Sequence, residues 1–423
     1  MAEENPKKNA SEILLEELMA TPAVKGPWWR RAGQVALIPV LAVISGLILG
    51  ALIIAFTSEE VYAAWAQSPI RAVIAAIRVV GSAYGALFAG SIGDPTRIIG
   101  ALRGGDDLEI RRAFNPFLES LVASTPYIFG GLAVALGFRS GLFNIGAEGQ
   151  LFIGAICAAF VGYSVTGLPA IIHIPLALGA GALGGAAWGF IPGWLKAKTG
   201  GHEVINTIML NYVAFRLSDW LLSGPMKRPD SFNPVSPTIQ DSAVLPRFFD
   251  NPIRFHAGFF LALAVAWLVY WLLFRTTVGF NLRTVGSNPR AARYAGISIV
   301  GNMVLAMSLS GALAGLAGTN EVLGVNHNVA MAFSSGYGFD SIALALLGKS
   351  HPVGVVLAAL FFGTMRNGAT RMQVVAGIPI DIISVLQALI LAFIAAPAII
   401  RTFYRLKAPV EATEGIFARG WGG

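Results

Sequence analysis

Long apolar runs, separated by short charged stretches, dominate the chain. Such runs lie near 35–56, 118–138, 148–165, 168–195, 204–223, 256–274, 299–323, 337–348, 352–372 and 379–400. A helix needs about 20 apolar residues to cross the hydrocarbon of a bilayer, so the pattern predicts an all-α, polytopic membrane helix bundle of about ten transmembrane helices. The stretch 61–90 fits less well, because Pro69, Arg71, Arg78 and Gly81 interrupt it, and it is expected to be an interfacial helix on the outer side. Near the start, Leu14, Leu15 and Leu18 face away from Glu12, Glu16 and Glu17, the pattern of a short surface helix in the cytosol. The first apolar run is longer than a signal-peptide core and lacks a small-x-small site, so it is expected to stay in the membrane.

Composition reinforces this reading. Hydrophobic residues make up 55% of the 423 and charged residues 13%, against about a quarter charged in soluble domains. The net charge of +7 sits on Lys and Arg residues beside apolar runs. That is the positive-inside signature rather than a nucleic-acid surface, so the expected contact is membrane lipid and no nucleic acid. Ten spans with this bias predict a cytoplasmic segment 1–31, a transmembrane domain 32–400 and a cytoplasmic tail 401–423. Within the domain, 57–117 is an extended outer segment and 275–298 a cytoplasmic loop. Cys157 is the one cysteine, so neither a disulfide framework nor a thiolate metal site is expected.

Enzyme signatures are missing. Neither HExxH nor GxSxG occurs. Gly179, Gly181 and Gly184 spell GxGxxG inside an apolar run, where no strand precedes it. Gly181, Gly185 and Gly189, and likewise Gly311 and Gly315, instead recur every four residues, the spacing that brings two helix backbones together in a membrane. Gly348, Lys349 and Ser350 resemble the end of a phosphate-binding loop, but Ala343 occupies its first glycine position and an apolar helix precedes it. The chain is expected to bind no ATP and no cofactor.

Polar residues gather in four places. The stretch 140–150, SGLFNIGAEGQ, sets Asn144, Glu148 and Gln150 between two spans, where an ionised carboxylate in lipid is costly and must face protein or water. A substrate path, a hinge and a satisfied polar knot all fit it. In 201–212, Glu203, Thr207 and Asn211 share one helical face while Asn206 sits off it. Around 320–340, Asn320, Glu321, Asn326, Ser334, Ser335 and Asp340 crowd a glycine-rich reach that suits a broken or re-entrant segment lining a cavity. The substrate-path candidates are therefore Asn144, Glu148, Gln150, Glu203, Asn206, Asn211, Asn326 and Asp340. The fourth place is the basic loop 275–297, in which Ser287 or Asn288 caps a short helix beginning at Pro289. Such a helix suits docking of a soluble partner, with Arg283, Asn288, Pro289, Arg290, Ala292, Arg293 and Tyr294 as the candidates.

SGLFNIGAEGQ, HEVINTIMLNY, TTVGFNLRTVGSNPRAARYAGI, GFDSIALALLGKSHPVGVVLAALFFGTMRNGA and GIPIDIISVLQALI follow one another between about Leu121 and Pro397. Together they resemble the nucleoside and simple-sugar branch of the ABC importer permeases, related to ribose and branched-chain amino-acid permeases. The resemblance implies a type II importer-like bundle in the cytoplasmic membrane. It also implies an ABC ATPase subunit, a second permease subunit that is a different chain, and an extracytoplasmic substrate-binding lipoprotein. The helix from Pro289 would be the coupling helix. A nucleoside is the expected solute, with a simple sugar as the alternative. The rival from another class is an ion-coupled secondary carrier, in which Glu148, Glu203 or Asp340 would titrate or bind the ion.

Overall fold

The computed structural model describes residues 28–379 and 381–405; the expected surface helix at 11–19 and most of the expected tail lie outside them. Sixteen α-helices make up the described residues, with no β-strand among them. Helix α1 (Trp28–Thr57) leads through α2 (Glu59–Trp65) into α3 (Pro69–Ser91), α4 (Pro95–Gly104) and the long α5 (Asp107–Arg139). Then come α6 (Ala147–Ser164), α7 (Ala170–Thr199) and α8 (Glu203–Ser223). A long strap over 224–257 leads to α9 (Gly258–Arg275), α10 (Thr277–Ser287), α11 (Pro289–Tyr294) and α12 (Ile299–Asn320). The last four are α13 (Tyr337–Leu347), α14 (Pro352–Ala376), α15 (Asp381–Ala395) and α16 (Pro397–Phe403). Eight helices have the length and apolarity to cross a membrane, and α13 and α15 are shorter apolar helices. The chain is a polytopic helical bundle.

Helix α5 is its axis. Every residue from Ser124 to Gly137 is buried, and Tyr127, Phe129, Leu132 and Leu136 form the main core with α6, α9, α12, α13 and α14. Helix α7 is built the opposite way, with Leu183, Phe190 and Trp194 exposed and a stripe of Ala177, Gly181, Gly185 and Gly189 buried. That stripe meets α12. A Cβ on Gly185 would overlap the Gly311 carbonyl, and one on Gly189 would overlap that of Met307. The glycines act as packing surface, as their spacing predicts: lipid supplies no hydrophobic drive between helices, so close backbone contact has to.

Of the expected spans, 204–223 forms α8, which is not among those eight, and 379–400 is divided between the 15-residue α15 and the short α16. Two further regions depart from the sequence reading. The stretch 61–90, expected as an interfacial helix, holds a 23-residue α3 long and apolar enough to cross a membrane. Its second half runs into the bundle, where the Ser91 hydroxyl donates to the Leu87 and Thr364 carbonyls at 2.7 Å. Of the residues that argued against a span, Pro69, Arg71 and Arg78 lie in its first half and Gly81 at its middle, and none breaks it. Pro69 opens the helix, Arg71 donates to Gln67, and Arg78 reaches Glu60. The second region is 337–348, expected as a span. Helix α13 has 11 residues, about 16 Å of helix, or half the hydrocarbon thickness. Helix α12 meanwhile continues as a π-helical turn over Glu321–Asn326. This is the broken segment that the polar reach around 320–340 suggests.

The 224–257 strap covers that break. Ser236 N–H donates to the Val329 carbonyl, Ile239 N–H to His327 and Leu245 N–H to Leu323. Backbone carbonyls within and just after the π turn thus find donors.

Candidate functional site

The bundle has a basic rim at one end. Arg139 closes α5, Lys196 and Lys198 lie in the last turn of α7, Lys349 follows α13, and α10 and α11 carry their arginines there. At this rim Asn288 caps α11 by accepting from Ala291 N–H at 3.0 Å, and Pro289 takes the first helical position. Arg290 and Arg293 are exposed, Tyr294 is 95% exposed, and Ala292 is buried beneath them. The helix therefore presents a charged and aromatic outer face on an apolar anchor. Arg283 sits further back, half-buried on α10.

The end of α10 abuts the SGLFNIGAEGQ stretch. A Cβ on Gly141, whose φ is +71°, would lie 2.7 Å from Gly286 Cα, and one on Gly286 would lie 2.5 Å from Gly141 N. Two glycines are needed for this contact, one of them also for its left-handed backbone. From it the chain runs into a buried knot. Asn144 Nδ2 donates to Gln150 Oε1 and Ser310 Oγ, both at 2.8 Å, while its Oδ1 accepts from Gly146 N–H and Gln150 Nε2. The amide's two donors and its acceptor oxygen are all engaged. Asn211 completes the knot from α8, accepting from Gly149 N–H at 2.8 Å and donating to the Ile145 carbonyl at 3.0 Å.

Glu148 leaves the knot and points elsewhere. Its Oε2 accepts from Gly338 N–H at 2.6 Å, in the first turn of α13, and the residue is 2% exposed. A carboxylate at the N-terminus of a half-helix is stabilised by both the free amide and the helix dipole. Gly338 permits the approach, since a Cβ there would overlap Glu148 backbone. Two residues on, Asp340 accepts from the Tyr127 hydroxyl at 2.9 Å and pairs with Arg366 of α14 at 3.9 Å. The Asp340 and Arg366 side chains are 34% and 27% exposed, so this pair faces open space rather than the core. Tyr337 packs edge-on against Tyr127, ring centroids 5.0 Å apart.

Further from the rim, Arg254 of the strap grips Glu119 of α5, with Nη2 to Oε2 at 2.7 Å and its own N–H to Oε1 at 3.1 Å. Glu321, buried in the π turn, interacts electrostatically with Arg254 and Tyr337. His256 is buried at the end of the strap. Its Nδ1 accepts from Gly258 N–H at 3.1 Å, and burial, followed by Arg247 and His327 and then Arg254, pushes the imidazole down to about 4.

The structure thus brings Glu148 and Asp340 to one half-helix and fixes Asn144, Gln150 and Asn211 in the knot. It does not bring the other candidates there. Glu203 pairs with Lys196 at 2.9 Å at the rim, Asn206 is half-buried nearby, and Asn326 is exposed at the far end of the π turn. Tyr127, Tyr337, Arg366, Arg254 and Glu119 complete the polar face but are not among the sequence candidates. Arg366 was signalled only by being a charge inside an apolar run. The tyrosines gave no signal at all.

Comparison with known proteins bears on what this arrangement serves. Residues 117–398 match the family described as branched-chain amino acid transport system / permease component. The guanosine ABC transporter permease protein NupP of Bacillus subtilis is 39% identical over 371 residues, 86% of this chain and 94% of that one. The glucose ABC transporter permease protein TsgB13 of Haloferax volcanii is 36% identical, covering 82% and 94%. The nucleoside ABC transporter permease protein NupB of Lactococcus lactis is 32% identical, covering 91% and 97%. No solved structure matches the chain. With a polytopic bundle, an exposed capped helix on a basic rim and this likeness over most of its length, the chain belongs to the branched-chain amino acid transport system / permease component family, as a membrane permease subunit of an ABC transporter that works with a separate ATPase and is not itself an enzyme.

Proposed function

We propose that this permease imports a nucleoside, along a path that passes the N-terminal turn of α13. The observation that carries the solute class is the likeness over more than four fifths of the chain to permeases named for guanosine and for nucleosides. The chemistry around α13 supports it. Asp340 accepts hydrogen bonds, Arg366 donates them, and half-buried Tyr337 offers a ring edge and a hydroxyl, while the buried Tyr127 orients Asp340 from behind. A ribose diol and a heteroaromatic base need that combination, because every polar group of a desolvated solute left unpaired costs affinity. A simple sugar is the second reading, favoured by the likeness to the glucose permease.

The rim faces the cytoplasm in this reading, with both termini there. The 224–257 strap lies outside, where a substrate-binding lipoprotein delivers the solute, whereas the second half of α3, within the expected outer segment 57–117, runs into the bundle. The positive-inside rule supports the orientation, since Arg139, Lys196, Lys349 and the arginines of α10 and α11 share that end. A second, different permease chain completes the pathway opposite Asp340 and Arg366, the partly open pair. ATP-driven motion of the ATPase reaches α11, passes through the contact of Gly286 with Gly141 into the knot, and moves Glu148 against α13. Each link is a tight contact, so displacement at the rim is transmitted rather than absorbed. Among the polar residues singled out along the sequence, Glu148 and Asp340 then act on the path, Asn144, Gln150 and Asn211 transmit, and Glu203, Asn206 and Asn326 sit at its two mouths.

Uptake of radiolabelled guanosine, adenosine and ribose into vesicles carrying the chain with its partner subunits tests the proposal. ATP-dependent accumulation of nucleosides that unlabelled ribose does not compete away is expected. Accumulation of ribose alone would move the assignment to the sugar reading, and ATP-independent uptake collapsed by an ionophore would replace it with an ion-coupled carrier.

A further inference from the structure

The basic rim holds a cationic cluster that neither the coupling helix nor the solute path uses. Arg139 Cζ lies 5.7 Å and Arg283 Cζ 5.2 Å from the ring centroid of Phe274, so two guanidiniums share one aromatic side chain. His351 stacks on the same ring at 5.4 Å and 30°. Arg139 is held in place by donating through Nε to the Ser350 carbonyl at 2.9 Å and through Nη2 to the Lys349 carbonyl at 3.2 Å. Lys349 and Ser350 have φ of +52° and +50°, a backbone that non-glycine residues adopt only when their surroundings impose it. The turn is thereby locked, with Lys349 exposed beside it.

Among the described residues these charges lack counter-ions: Arg139, Arg283 and Lys349 form no ion pair, and Arg283 Nε is buried without an acceptor. The sequence provides none nearby: no Asp or Glu occurs between Glu119 and Glu148, between Asp250 and Glu321, or between Asp340 and Asp381. Those three acid-free stretches are the ones that build the cluster. Glu203, a carboxylate at this rim, is already paired with Lys196. His351 reports the resulting field, since burial and then Arg139 hold its imidazole below the ordinary range. Bringing cations together in half-buried positions is unfavourable unless an anion joins them.

The surroundings say which anion. Helix α9 leads down to Phe274 with Trp267 and Trp271 exposed on its outer face, and α10 continues with Val278 and Phe280 exposed. Tryptophan and phenylalanine next to arginine mark the depth at which acyl chains give way to head groups. Arg290, Arg293 and Tyr294 project beyond that depth and suit a soluble partner, whereas Arg139 and Arg283 are recessed against the aromatic.

We propose that Arg139, Arg283 and Lys349 hold the phosphate of an anionic phospholipid in the rim-side leaflet, with the acyl chains running along the exposed face of α9. The phosphodiester supplies the acceptors that Arg283 lacks and pins α10 to the turn between α13 and α14. Lipid occupancy would then set how firmly the coupling loop is seated.

Native mass spectrometry of the full-length chain, titrated in detergent with phosphatidylglycerol or phosphatidylcholine, tests this. Phosphatidylglycerol should be retained and phosphatidylcholine should not. The Arg283→Gln, Lys349→Gln double variant should weaken retention about thirtyfold, at roughly fivefold for each charge removed near a membrane surface. Arg112→Gln, an exposed charge at the opposite end, should leave it unchanged. Arg139 stays in place because it also holds the turn. Equal retention of both lipids, or an unchanged double variant, would overturn the proposal. So would stripping of the lipid by millimolar inorganic phosphate, which would identify a soluble-anion site.

Discussion

Asp340 is the residue at which fold and transport separate most cleanly. Its carboxylate accepts from Tyr127 and faces Arg366 across 3.9 Å, and both members of that pair are partly open. An amide in its place still accepts the tyrosine hydroxyl, so Asp340→Asn keeps the packing and removes only the charge. Uptake should fall on the order of tenfold, the scale of one lost charged hydrogen bond to solute, while the melting temperature moves by less than about 3 °C. Transport kinetics beside a thermal melt of the purified variant check this. Unchanged uptake would take Asp340 off the path. Glu148, 2% exposed and bonded to a buried amide, has no such separation. Neither role was readable along the chain, because Glu148 meets a residue 190 positions away and Asp340 one 213 away. What could be read was that a carboxylate at such depth needs a partner.

Elements were legible to the degree that their determinants are local. The α11 cap is written in three consecutive residues, Asn288, Pro289 and Arg290, and forms as read. The four-residue glycine period on α7 and α12 foretells their contact, since only close packing explains it. Helix α3 was misjudged because single charges in its first turns looked like interruptions, whereas they project to partners outside the bundle. The strap over 224–257 could not be foreseen, as its register depends on carbonyls within and just after a π turn in another element. That strap carries a pH dependence. His256 is held near 4 by burial, then by Arg247, His327 and Arg254, against an ordinary value of 6.5, so the unfolded chain binds the extra proton between these values. Stability is therefore complete above about pH 6.5 and declines as pH falls towards 4, by about 2 kcal/mol at pH 5. His256→Asn keeps an acceptor for Gly258 N–H and loses the titration. Melting curves at pH 7.5 and 5 should converge in the variant relative to the parent, and equal pH sensitivity in both would place the titration elsewhere.

At the scale of the whole molecule, the design is a division between a rigid transmitter and two specialised ends. The proposed transmitter starts at the tight contact of Gly286 with Gly141 near the rim and is buried and hydrogen-bonded from Asn144 and Ser310 to Glu148 and α13. A half-helix whose N-terminus is held by a carboxylate from another helix can move only when that helix moves. The rim end is different, since Arg290 and Arg293 are exposed and form no ion pair among the described residues. Reversing both charges should cost the isolated chain little stability, within about 0.5 kcal/mol, as for surface substitutions that touch nothing. If α11 is the coupling helix, the same change sets glutamates against an ATPase surface that receives arginines, and a mismatch of charge across an interface costs several kcal/mol. Arg290→Glu with Arg293→Glu should therefore leave the melting temperature of the chain unaltered and abolish ATP-dependent uptake, with the ATPase no longer co-purifying. Loss of uptake with the ATPase still bound would mean that α11 transmits force through its shape rather than its charge, and the search for the coupling contact would turn to Tyr294, 95% exposed on that helix.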